Sequence, residues 1–202
     1  MANSESRFVY VTYIRTTAEK LWEALTTSEF MKQYWFGMHC ESQWTAGSSW
    51  KMVSGDGQIF DSGEIVEADP PRHLVIRWQH QNKPELKAEG DSLCTIELEP
   101  NGTAVKLSMT HTIDREPSTL IAAVSGGWPK ILSNPKSLLE IGSPVLPEPS
   151  ARLPRRHDTD CGRHCDCSSP DPDDRRVVWL RDAAAVILWL PGRRDLGLSR
   201  AR

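Results

Sequence analysis

The sequence has no apolar run long enough to cross a bilayer as a helix, which takes about 20 residues. The longest candidate, residues 177–190, is too short and carries Arg181 and Asp182. Positive charge is not in excess either. Lys and Arg total 24 against 27 Asp and Glu, a formal net charge of −3. Nucleic-acid recognition usually needs a basic face, so neither a nucleic-acid nor a membrane partner is expected. The first residues, MANSESRF, lack the apolar core of a secretory signal. A cytoplasmic location follows as the expectation. Cysteines number five, an odd count, and Cys40 and Cys94 are isolated in sequence. A disulfide framework is therefore not expected. Serine and cysteine nucleophile elbows are absent. Gly126-Gly127 stands beside Trp128-Pro129, outside any phosphate-loop context, and reads as close helix packing or a loosened turn. No cofactor and no resident metal are expected.

The composition breaks near Leu146. Residues 1–146 hold 8 Lys and 5 Arg against 18 acidic residues, whereas residues 147–202 hold no Lys, 11 Arg and 9 acidic residues. The expected organisation is one domain over 1–146 and an Arg/Pro/Cys-rich tail over 147–202. The tail fits a disordered extension or a C-terminus translated out of its ancestral frame. Its cluster of His157, Cys161, His164, Cys165 and Cys167 has metal-like donors, but the spacing does not match paired Cys-x2-Cys knuckles. It is read as incidental.

The body reads as alternating elements. Residues 8–15 are β-branched and aromatic, a strand pattern. Thr16-Thr17-Ala18-Glu19 resembles a capped helix start, and Leu21, Trp22 and Leu25 follow at helical spacing. A second short helix is placed at 28–33. Strands are predicted at 48–53, 58–67, 74–81, 92–99 and 103–112. Asp56-Gly57 is a turn, and Asn101-Gly102 is a strong hairpin signal. Within 63–78, GEIVEADPPRHLVIRW, the pair Pro70-Pro71 cannot sit inside a central ladder, so it marks a rigid corner between two neighbouring strands. From Pro117 the period becomes helical, with Leu120, Ile121, Val124, Trp128, Ile131, Leu132, Leu138 and Leu139 on one stripe and Gly142 as the stop. The order β-α-α-β-β-β-β-β-α implies an α+β fold: an antiparallel sheet curled around a long C-terminal helix.

Four segments together resemble a known family. They are FVYVTYIRTTAEKLWEALT (8–26), FMKQYWFG (30–37), GEIVEADPPRHLVIRW (63–78) and SGGWPKILSNPKSLLEIG (125–142). The chain is similar to the START-like (SRPBCC) helix-grip superfamily, and within it to bacterial relatives of the C-terminal domain of the activator of heat-shock protein 90 ATPase. One departure stands out. Asn134-Pro135 falls where the family usually continues its last helix, and a Pro inside a helix costs about 3 kcal/mol. A kink or break is predicted there.

Strand alternation puts Leu74, Ile76, Trp78 and His80 on one face, and Val105, Leu107, Met109 and His111 likewise. Trp50 and Met52 share a face, as do Cys94, Ile96 and Leu98. The inward sets are apolar until His80 and His111 at the strand ends. This pattern fits an apolar pocket with polar groups at one end. It equally fits a closed core, since Trp and Met are first of all core residues. The resemblance implies a cavity for a small hydrophobic or aromatic molecule. The candidate walls are Trp35, Trp50, Trp78, Met109 and Trp128, with His80 and His111 orienting a polar group. It also implies a chaperone partner as an alternative. A further alternative is a cyclase or hydrolase acting on aromatic polyketide-like substrates, for which His80, His111 and Asp61 are the acid/base candidates.

Overall fold

The computed structural model describes residues 5–146. Strand β1 spans Ser6–Ile14. Helices α1 (Ala18–Thr26) and α2 (Ser28–Tyr34) follow. Strands β2 (His39–Ser42), β3 (Ser49–Val53), β4 (Ile59–Asp69) and β5 (His73–His80) come next. A single-turn helix, α3 (Pro84–Lys87), separates them from β6 (Ser92–Asn101) and β7 (Ala104–Ile113). Helix α4 (Thr119–Ile141) closes the fold. The seven strands form one antiparallel sheet in the order β1-β7-β6-β5-β4-β3-β2. One face of the sheet packs against α4, which is the helix-grip arrangement expected.

The local signals act as anticipated. Thr17 caps α1 by accepting a hydrogen bond from the Lys20 amide; Ser118, which the pattern did not single out, caps α4 by accepting from Ile121. Glu89 reinforces the second cap, accepting from the amides of Thr119 and Leu120 and from the Ser118 hydroxyl. Burial pushes the Glu89 carboxyl up, but these donors outweigh it and hold it below its ordinary range. Gly142 ends α4 at φ +82°, a left-handed turn that glycine adopts without steric cost. Asp69-Pro70-Pro71 forms the corner between β4 and β5.

Two elements escaped the periodicity. Strand β2 is only four residues long, and α3 is a single turn, both too short for a repeat to register. The break at Asn134-Pro135 does not occur: α4 continues through both Pro129 and Pro135. Tertiary contacts hold it. Ile131 and Leu132 are buried against the core, and the buried Asn134 side chain donates to the carbonyls of Tyr34 and Leu146 while accepting from the Leu146 amide. The tail over 147–202, including the His157–Cys167 cluster and the 177–190 stretch, lies outside the described residues. Among the described residues no helix is long and apolar enough to cross a membrane, and no cluster of three or more His, Cys, Asp or Glu is placed to hold a metal.

Candidate functional site

The interior facing α4 is built by strand pairing. Trp50 on β3 pairs with Gly63 on β4, and Gly63 pairs with Trp78 on β5. A side chain on Gly63 would collide with the backbone carbonyl of Arg77. Glycine therefore lets the two strands close up, and across it the indoles of Trp50 and Trp78 meet with ring centroids 4.3 Å apart. Trp78 then contacts Trp128 of α4 at 5.8 Å, and Trp128 contacts Trp35 at 5.7 Å. Tyr34 stacks on Trp35 at 6.1 Å. A continuous aromatic wall thus crosses from sheet to helix.

The space enclosed by this wall is about 20 Å³, and its lining includes Trp35, Trp44, Trp50, Trp78 and Trp128. That is about the volume a single water needs. Four of the seven expected binding residues meet at this void. Met109, His80 and His111 are buried but stand outside its lining. Trp44 and Cys40 line it without having been anticipated. Cys40 lies on the short β2, and Trp44 follows in a loop. Neither position belongs to a pattern long enough to assign a face.

The two histidines do not form a pair with each other. His80 Nδ1 lies 2.6 Å from Asp61 Oδ1, and both side chains are almost fully buried. Register explains the contact, because Asp61 on β4 sits directly across from His80 on β5. The other atoms of the pair, His80 Nε2 and Asp61 Oδ2, find no hydrogen-bond partner among the described residues. The Trp50 indole N–H is similarly unsatisfied beyond a weak approach to the Cys40 sulfur. Each such buried orphan costs about 1–3 kcal/mol.

His111 has a complete set of partners. Its Nδ1 accepts from the Trp128 indole at 3.2 Å, and its Nε2 lies 2.8 Å from the Ser92 hydroxyl. The Ser92 hydroxyl donates to the Trp78 carbonyl, so Nε2–H must donate to Ser92. The ring is therefore neutral, and burial pushes its pKa down to about 4. Burial also pushes the thiols of Cys40 and Cys94 up, the latter to about 12. Neither is a ready nucleophile. The acid/base set of the enzymatic alternative is thus split: Asp61 and His80 converge, while His111 is committed to Ser92 and Trp128.

The family described as "Activator of Hsp90 ATPase homolog 1-like protein" matches residues 15–140. No curated protein matches the chain. Several solved structures share the fold. ChR145 from Cytophaga hutchinsonii is 28% identical with a TM-score of 0.53, covering 67% of this chain and 94% of its own. An HSP90 activator from Plasmodium falciparum is 20% identical with a TM-score of 0.55, covering 66% and 95%. CalU16 from Micromonospora echinospora is 21% identical with a TM-score of 0.51, covering 62% and 71%. With most of its body matched, the chain belongs to the activator of Hsp90 ATPase homolog 1-like family.

Proposed function

We propose that the protein binds a small hydrophobic or aromatic molecule between the sheet and α4, without catalysing a reaction on it. The observation that carries this reading is the group of uncommitted polar atoms beside the indole wall: His80 Nε2, Asp61 Oδ2 and the Trp50 N–H. A core built only for stability gains nothing from such orphans. A ligand with an aromatic ring and a hydroxyl or carbonyl would satisfy them. The present void has room for no more than about one water, so binding must be coupled to movement of an indole. Turning one Trp outward re-exposes roughly 200 Å², worth on the order of 5 kcal/mol. An aromatic ligand recovers that contact by taking the indole's place, whereas a polar metabolite does not.

A second reading is interaction with a chaperone ATPase of the heat-shock protein 90 type, as in the Plasmodium activator of the same fold. It is favoured by the near-closed interior and by the exposed row of Val9, Val11 and Tyr13 on the edge strand β1. Comparison of native and denaturing mass spectra of the full chain separates the two. A mass excess lost on denaturation, and abolished in a folded Trp78→Ala variant, is the expected result. The bare chain mass, with stimulated ATP turnover by a purified chaperone, would favour the second reading instead.

A further inference from the structure

Outside the sheet edge lies an open cleft of about 550 Å³, bounded by the α1–α2 junction on one side and by β2 and the start of β3 on the other. Its walls are polar: hydroxyls of Thr26, Thr27 and Ser42, carboxylates of Glu29 and Glu41, and the Lys51 ammonium. The inner void, by contrast, is lined almost wholly by apolar side chains. Among the described residues, Trp44 is the one side chain common to both linings. Trp44 therefore borders both spaces.

The backbone at Trp44 is unusual as well. Its φ is +54°, in the left-handed region that a bulky residue rarely occupies. Such a conformation persists where the surroundings dictate it. Here they do. The Trp44 amide donates to the Ser42 hydroxyl, which lies 3.1 Å from the Ser48 hydroxyl. Ser48 in turn donates to the Thr45 carbonyl, and the Gly47 amide donates to Ile65 on β4. The loop is tied at both ends while the half-buried indole it presents faces the core on one side and the cleft on the other.

We propose that the cleft is the entrance to the interior and the outer half of the binding site, with Trp44 as the gate between them. This inference rests on the ligand-binding reading above and extends it to the ligand's chemistry. The ring passes inward to the indoles, and the appendage remains among the hydroxyls. Glu29 and Glu41 against the single Lys51 select a neutral or cationic appendage over an anionic one.

The test is stopped-flow binding of prodan, a neutral naphthalene fluorophore, to the full chain. Trp44→Gly removes the gate and suits the positive φ. Its association and dissociation rate constants are both expected to rise about tenfold over wild type, as for removal of a gating step. Glu29→Trp adds bulk to the cleft at an exposed helix position, and should slow both rates. If prodan binds the wild type and either folded variant leaves its rates unchanged, the gate is overturned while the ligand-binding reading stands. If neither wild type nor Trp44→Gly takes up prodan, an open gate admits nothing and both readings fall.

Discussion

The indole N–H of Trp128 donates to Nδ1 of His111 across 3.2 Å, joining the long helix to strand β7 in the middle of the core. This bond exists only while Nδ1 is unprotonated. Ser92 occupies the other nitrogen, and Trp78 flanks the ring at 5.7 Å, so no carboxylate among these partners is present to stabilise an imidazolium.

A pH dependence of stability follows. The folded-state pKa of His111 is about 4, below the ordinary value of 6.5. Between these values the unfolded chain binds a proton that the folded chain refuses, so stability falls as pH drops from about 6.5 to about 4 and the loss is complete below that. The full shift corresponds to about 3 kcal/mol. His111→Gln retains an acceptor for Trp128 and cannot titrate. Urea unfolding at pH 7 and pH 4.5 should show a larger drop for wild type than for His111→Gln, and equal drops would refute the assignment.

Two glycines should respond oppositely to the same substitution. At Gly63 the added methyl meets the Arg77 backbone, which cannot swing aside as a side chain does. Gly63→Ala should lose roughly 3 kcal/mol or more, because the ladder between β4 and β5 must shift. Gly126 lies on the exposed side of α4, with nothing near its would-be Cβ. Gly126→Ala should gain about 0.5–1 kcal/mol from lower unfolded-state entropy and better helix propensity. Thermal unfolding of the two variants checks both signs.

Asn134 ties three backbone groups together. Replacing it with Ala leaves the Leu146 amide and the Tyr34 carbonyl without their partner. The expected cost is about 2 kcal/mol. Hydrogen exchange should show faster exchange at the Leu146 amide in Asn134→Ala, whereas unchanged protection there would show that the side chain contributes little.

The inward faces of the strands were legible because pairing partners share a side of the sheet and the period is two. Leu74, Ile76, Trp78 and His80 are all buried, and so are Val105, Leu107, Met109 and His111. The caps at Thr17 and Gly142 were legible for a similar reason, since they depend on a few adjacent residues. The course of α4 was not. The local penalty of Pro135 is real, but it is offset by Asn134 reaching Tyr34, a hundred residues away in sequence. Trp44 was equally hidden, because its place between the cleft and the void depends on three segments that meet only in the fold.

What the sequence determined by itself is the helix-grip architecture, since alternation, capping and turn chemistry are short-range and mutually consistent. Which buried polar groups pair, and how much room the aromatics leave, was decided only by the tertiary structure. Asp61 takes His80 and Ser92 takes His111 through cross-strand register and side-chain packing. The void shrinks to one water because the indoles of Trp50 and Trp78 close over a glycine. Those outcomes depend on small differences in how closely segments remote in sequence approach one another, a scale that local pattern does not carry.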